Sequence, residues 1–352
     1  MSLDPTAPVD RAPSPGPATH TLTNQVGGHK DGVLTTEDDT LLIKQALPGE
    51  LAFYRAVAAS TSPAIDALRP YLPKFLGTLT LEGEVDPEKP ATETSIPVKP
   101  TENGLGAGGK ESLVLENLTH AFTKPNILDI KLGTVLYDES ASPDKVERML
   151  KTARETTSLE TGIRLTGFQV YDTTTGEPVN TPKTYGKSIS KAQLPEGVAR
   201  FFPVAGAGDP NAPMQGLPAA LLLQILELLR EDVQEIRDAF AALELRMVGG
   251  SLLMLYESDA ARAEEGVKYM LRDVDQEDDD EDEEEDAEDE DGERSTKKPG
   301  PAYDVRLIDF AHTRFVPGEG PDQGVLLGFK TVLELLDQRI EAVRSADSAS
   351  SE

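Results

Sequence analysis

Cysteine and tryptophan are absent from the 352 residues, and aromatic side chains make up only 5% of them. Without cysteine there is neither a disulfide framework nor a thiolate metal site, which excludes a disulfide-stapled secreted domain. No apolar run is long enough to cross a bilayer, and no apolar h-region follows Met1. The expected compartments are therefore nucleus and cytoplasm, with no membrane span. Positive charge is also scarce: 34 Lys and Arg stand against 63 Asp and Glu, for a formal net charge of −29. Direct nucleic-acid binding is not expected from such a balance. The deficit is concentrated, because 17 of the acids lie in Asp273–Glu293; setting those 17 charges aside leaves −12 for the rest of the chain.

What is present suffices for a substantial core. Apolar residues reach 38%, and 352 residues exceed the usual single-domain range, so two lobes sharing a cleft are expected. Met1–Thr23, rich in Pro, Ala, Ser and Thr and without periodicity, reads as a disordered tail. Gln25-Val26-Gly27-Gly28-His29 and Thr40–Lys44 read as a β-hairpin with Lys44 near the end of its second strand. Glu50–Ala58 has helical spacing, and Glu50 could face Lys44, although a glutamate at a helix start more often serves the macrodipole. Phe75–Leu81 is a strand and Glu82–Lys110 a polar loop. Ser112–Leu118 is an apolar strand that turns polar at Glu116-Asn117.

The chain is organised around Pro125-Asn126-Ile127-Leu128-Asp129-Ile130-Lys131-Leu132-Gly133. As a strand it projects Asp129 and Lys131 from one face and packs apolar residues behind them. A solvated ion pair is the ordinary meaning of such a pair; an acid and an amine that hold a hydroxyl and a phosphate is the functional one. Ser142 as N-cap, Pro143 and Asp144 then open a helix on which Lys145, Arg148, Lys151 and Arg154 recur every third residue. That stripe is either a solvated face or the wall of a polyanion site.

Gly162–Tyr171 reads as a strand, and Tyr185-Gly186-Lys187 as a loop before a helix opened by Ser188 or Ser190. Pro218–Leu245 is the longest apolar helical repeat and reads as scaffold. Arg246–Glu257 gives a strand at Ser251–Glu257. Val305–Phe310 is a strand ending at Asp309, where an acid can hold a metal, and Gly324–Val343 is a last helix. A strand lysine, a possible backbone hinge, an Asp-x-Lys strand and a late Ile-Asp-Phe are, in that order, the parts of a two-lobed ATP-dependent kinase. Protein-kinase catalytic-loop, Asp-Phe-Gly and Ala-Pro-Glu signatures are missing, as is a Walker A loop.

These residues resemble the inositol polyphosphate kinase family, whose Pro-x-x-x-Asp-x-Lys-x-Gly signature is met by Pro125, Asp129, Lys131 and Gly133. Further matches are Gln25–His29, Lys44, Leu115–His120, Tyr185–Ser188, Ser251-Leu252-Leu253 and Ile308–His312, so the likeness runs over about residues 24–344. Within the family, Tyr137-Asp138-Glu139 and the compact chain are most similar to the multikinase branch, in a fungal form given the acidic insertion.

The resemblance implies an α+β, two-lobed kinase-like fold related to ATP-grasp and protein kinases. An antiparallel-sheet N-lobe would occupy 24–118 and a mixed α/β C-lobe with an inositol-phosphate-binding helix 119–345, with a disordered acidic insertion at 273–300 and a tail at 346–352. ATP and Mg2+ are the implied cofactors. Lys44 would bind the ATP phosphates, the backbone at Glu116 and Leu118 the adenine, and Asp129 the ribose or the acceptor hydroxyl. Lys131 would grip the transferring phosphate and the inositol phosphate, and Asp309 and Ser251 the metal. Lys145, Arg148, Lys151, Lys183 and His312 would line the acceptor pocket. The implied activity is phosphorylation of inositol trisphosphate to tetrakis- and pentakisphosphate by a monomer. Inositol trisphosphate 3-kinase and inositol hexakisphosphate kinase are the alternatives within the family. A scaffold for transcription complexes, meeting basic nuclear proteins through the acidic segment, is the alternative outside it.

Overall fold

The computed structural model describes residues 19–21, 33–80, 84–85, 98–99, 111–206, 215–272 and 300–350. Gln25–His29, the acidic segment 273–299 and most of the Glu82–Lys110 loop lie outside the described residues.

The first sheet is antiparallel, in the order β1(Thr19–Thr21), β2(Val33–Thr36), β3(Leu41–Gln45), β7(Glu111–Glu116), β4(Phe75–Thr80). Helices α1(Pro48–Ala59) and α2(Pro63–Leu68) follow β3, and β5(Glu84–Val85) pairs with β6(Val98–Lys99) as a short ribbon. Two expectations change here. Thr19–Thr21, assigned to a disordered tail, forms an edge strand on β2, because three residues of pairing satisfy backbone groups whatever the composition. The hairpin carrying Lys44 is closed not by the Gly-Gly pair but by a turn through Asp39, at φ +57°, where Asp38 accepts from Thr40 N (3.2 Å) and Thr40 Oγ1 (2.8 Å).

The second sheet, again antiparallel, runs β10(Pro178–Thr181), β9(Ile163–Tyr171), β8(Pro125–Leu132), β12(Ser251–Glu257), β13(Tyr303–Ile308). The helices of this lobe are α3(Pro143–Glu155), α4(Ser158–Thr161), α5(Lys183–Ser188), α6(Leu194–Phe201), α7(Ala219–Ala241), α8(Ala260–Met270) and α9(Gln323–Ser350); β11(Leu245–Val248) pairs with β14(His312–Phe315). The strand expected at Ser251–Glu257 is β12, set off from β11 by Gly249 at φ +79° and Gly250. Tyr185-Gly186-Lys187 is helix rather than loop, and Ser190 caps the next turn with a capping box to Gln193. The expected C-terminal tail is helical through Ser350. No helix among the described residues is long and apolar enough to cross a membrane.

Strand pleating divides the second sheet into two faces. Leu128, Ile130, Leu132, Leu252, Met254 and Leu307 join the main core with α7 and α9. Ile127 and Leu255 face the other way and, with Phe122, form a small separate cluster that Leu118 and Leu253 border. Asp129 and Lys131 share that second face, so Ile127 stands beside them rather than behind them. The crossing between lobes is pinned by the buried Glu257 carboxylate, which accepts from Thr123 N (2.7 Å), Lys124 N (3.1 Å) and Asp259 N (2.9 Å).

Helix α5 rests on β9 through Gly186, where a Cβ would run into the Leu165 carbonyl. Backbone cannot yield as a side chain can, so Gly186→Ala is expected to destabilise the protein by roughly 1–3 kcal/mol. Urea unfolding measures it, and an unchanged midpoint would refute the close packing of α5 on β9.

Candidate active site

Three distant segments meet at Lys44. Its Nζ lies 2.9 Å from Glu50 Oε1 and 3.4 Å from Asp309 Oδ1. Burial pulls the ammonium down, but Asp309 and Glu50 together outweigh it and hold Lys44 above its ordinary value. Glu50 is 1% exposed, so its position at the start of α1 serves the lysine rather than the macrodipole alone. Asp309 follows β13 at φ +67°, an uncommon backbone for a residue other than glycine. Phe310 holds it there, buried against α1 with its ring stacked on Phe53 at 4.2 Å and edge-on to Tyr54 at 5.6 Å.

Next to this junction lies the floor of the site. In register, Lys131 of β8 stands opposite Ser251 of β12 on one side and Arg164 of β9 on the other, and Ser251 stands opposite Ile308. Asp129 is 4% exposed, and burial pushes its carboxyl up to about 6 against the pull of Lys131. Lys131 Nζ donates to Gly249 O at 2.6 Å. Asp129 Oδ1, Ser251 Oγ and Arg164 Nη1 are buried without a well-formed hydrogen bond, although Ser251 lies close enough to the Asp129 carboxyl to pull its value down. Buried polar atoms are normally satisfied, so three such atoms on adjacent strands mark a place prepared for polar ligand atoms. Leu253 and Ile308, half-buried on the same face, supply an apolar patch beside them.

The remaining expected residues fall on either side. At the hinge, Glu116 N donates to Lys74 O (3.1 Å), which leaves its carbonyl rather than its N–H for an adenine edge. Asn117 anchors the turn by donating to Asp39 O (2.7 Å) and accepting from Thr119 N (3.1 Å), with Leu118 between them. On the far side Ser142 caps α3, Lys145 is half-buried, and Arg148 and Lys151 are exposed, Lys151 reaching Glu155 at 3.8 Å. His312 begins β14, and Asp138 Oδ2 lies 3.1 Å from its Nδ1 and 3.3 Å from Lys145 Nζ. Lys183 is exposed at the first turn of α5 and has no such link to the group.

Sequence reasoning missed Arg164, Leu253 and Ile308. Alternation separates Arg164 and Thr166 from the core residues Ile163 and Leu165, but no local signal aligns Arg164 with Lys131. Among the described residues no cluster of three or more His, Asp or Glu forms a metal cage. One carboxylate, Asp309, near the buried hydroxyl of Ser251 suits Mg2+, which takes one or two carboxylates and completes its shell with phosphates and water.

A family model described as inositol polyphosphate kinase matches residues 112–337. This chain belongs to that family. It is 31% identical over 364 residues to inositol polyphosphate multikinase of Saccharomyces cerevisiae, covering 89% of this chain and 96% of the yeast protein. Similarity to rat inositol hexakisphosphate kinase 1 is 29% over 237 residues, 64% of this chain and 51% of the rat protein. A crystal structure of the S. cerevisiae inositol phosphate multikinase in complex with ADP and Mn2+ superposes with a TM-score of 0.60 at 26% identity, covering 86% of this chain and 99% of that one. The two-lobed kinase-like fold of this family is thus the fold of the chain.

Asp129 separates function from stability. Its folded-state value lies above the ordinary 3.8, so the protonated group favours folding, and stability falls as pH rises from about 4 to about 6 and is then level. In metal-free protein at pH 7.5 Asp129→Asn is expected to raise stability by up to roughly 3 kcal/mol. The gain should shrink towards zero near pH 4, as read by paired thermal melts; a pH-independent difference would contradict the burial of an ionised carboxylate.

Proposed function

We propose that the protein is an ATP-dependent inositol polyphosphate multikinase that phosphorylates inositol trisphosphate to tetrakisphosphate and pentakisphosphate. The observation that carries the reading is the meeting of Lys44 and Asp309 with the Asp129, Lys131 and Ser251 floor, next to the basic helix α3. Coverage of nearly the whole yeast multikinase, against about half the length of the rat hexakisphosphate kinase, favours this member of the family.

In this reading the Glu116 carbonyl and the Leu118 backbone hold the adenine above Leu253 and Ile308, and Lys44 holds the ATP phosphates. Asp309 and Ser251 would hold Mg2+, which neutralises phosphate charge when bound. Lys145, Arg148, Lys151, Lys183 and His312 bind the acceptor's phosphates through charge-assisted hydrogen bonds, and Arg164 adds a half-buried guanidinium beside Lys131. Lys131 grips the phosphoryl group in flight. Asp129 accepts a hydrogen bond from a hydroxyl, of the acceptor ring or of the ribose. The acceptor oxygen bonds to the γ-phosphorus as the bond to the β–γ bridging oxygen breaks, so ADP leaves and the hydroxyl proton is released. Positioning and charge neutralisation supply most of the barrier reduction.

The same reading extends to a monomer resident in nucleus and cytoplasm, with the 17 acids of Asp273–Glu293 contacting basic nuclear or transcription proteins. Kinase activity does not need that segment: deleting Asp278–Asp291 should leave turnover largely intact while losing basic partners from a pull-down. Unchanged partners would refute the contact.

Purified protein given radiolabelled ATP, Mg2+ and inositol trisphosphate should yield tetrakis- and pentakisphosphates, with chromatography resolving their positions; conversion of none of these acceptors would overturn the assignment. Lys131→Ala is expected to reduce kcat at least about 100-fold with a native circular dichroism spectrum. Retained turnover would remove Lys131 from the mechanism. Asp129→Asn distinguishes its two contacts: lost kcat at unchanged KM for ATP points to the acceptor hydroxyl, and a raised KM for ATP to the ribose.

A further inference from the structure

Of the ion pairs around the site, one joins two residues expected to bind the acceptor through a third that was not. We infer that Asp138 is the positioning residue of the acceptor pocket, holding Lys145 of α3 and His312 of β14 at a fixed spacing so that their remaining donors meet phosphates of one ring. The inference rests on the acceptor pocket proposed above and concerns a residue with no role in the chemistry itself.

All of the Asp138 carboxylate is engaged. Oδ1 accepts from Ser140 N at 2.8 Å and from the Ser140 hydroxyl, which orients the group from within its own loop. Oδ2 faces Lys145 Nζ at 3.3 Å and His312 Nδ1 at 3.1 Å. The Ser140 hydroxyl foremost, with Lys145, the Ser140 N–H and His312, holds Asp138 down to about 2, so it is an anion at any working pH. Neither side chain is consumed by the contact. An ammonium has three donors and gives one to Asp138; an imidazole whose Nδ1–H points at Asp138 keeps Nε2 facing away, a donor to phosphate when that nitrogen also carries a proton. Both residues therefore keep a group for ligand, with its direction set by the carboxylate behind it, much as a carboxylate orients a metal-binding histidine.

The two residues come from elements that the chain does not otherwise align. Lys145 lies in the first turn of α3, whereas His312 follows Asp309 by three residues. Asp138 thereby ties the acceptor-binding helix to the segment that carries the metal-binding carboxylate. Its neighbour Glu139 pairs with Arg314 on the same strand, which fastens the loop to β14 without touching Lys145 or His312. A ring bearing several phosphates gains from both side chains only if their separation matches its own. A misplacement of about 1 Å is enough to cost orders of magnitude in a positioned reaction.

The test combines calorimetric binding of inositol trisphosphate with steady-state kinetics. Asp138→Ala should raise both Kd and KM for the acceptor by roughly tenfold or more, with KM for ATP within about twofold. His312→Ala should weaken binding in the wild-type background but add little in the Asp138→Ala background, because the two act as one unit. Asp138→Asn, which can still accept from Ser140, should move in the same direction and replaces Asp138→Ala if that variant does not fold. Unchanged or tighter acceptor binding, strictly additive losses, or an equal loss with Glu139→Ala would each overturn the inference, the last by showing that loop anchorage alone matters. Wild-type protein that binds the acceptor but transfers no phosphate would overturn the kinase reading and leave the binding comparisons to decide this one.

Discussion

The contact on which the site depends is that of Lys44 with Glu50 and Asp309. Glu50 is buried at 1% exposure and would be an uncompensated charge without the lysine. Breaking a buried pair by removing one partner is costly because the remaining charge has lost its water. The lysine therefore fixes the start of α1 against β3, and α1 in turn receives Phe310, which sets Asp309 in its left-handed conformation. Gly49 allows this approach, since a side chain there would collide with the Ala311 carbonyl. An acid from the far end of the chain is in this way held within 3.4 Å of a lysine in the first sheet.

The second sheet solves a different problem, how to present charge from a strand that is otherwise core. Its inner face packs on α7 and α9, and its outer face carries Asp129, Lys131, Ser251 and Arg164 among apolar neighbours. Burial on that face raises the Asp129 carboxyl and leaves three polar atoms without a well-formed hydrogen bond. Such a site is unfavourable for folding and suited to ligands that bring the missing partners, the usual relation between function and local stability. Large apolar surfaces elsewhere, from Phe201, Phe202 and Tyr256 to Phe240 and Phe329, give the scaffold that tolerates it.

Polar anchors rather than apolar contacts set the α3 side of the site. Ser142 caps α3, Ser140 orients Asp138, and Asp138 and Glu139 reach β14. The basic stripe thereby becomes asymmetric: Lys145 is half-buried and tied to the site, while Arg148, Lys151 and Arg154 stay exposed, Lys151 reaching only its helix neighbour Glu155.

Much of this was legible locally. Alternation along Pro125–Leu132, the Ser-Pro-Asp start of α3 and the long repeat of α7 all report periodicities within a few residues, and those the chain encodes directly. The same local reasoning misjudged Thr19–Thr21, the closing turn of the Lys44 hairpin and the end of α9. At Thr19–Thr21 pairing with β2 outweighed composition, and at the hairpin the contacts of Asp38 with Thr40 rather than glycine close the turn. The sequence by itself determined the Asp-x-Lys strand, its family and the residues able to carry charge. Only the tertiary structure decided that Arg164 lies opposite Lys131, that Glu50 is buried on Lys44 and that Asp138 joins Lys145 to His312, because register between distant strands and helices is set by which faces must be buried together, not by the spacing within any one of them.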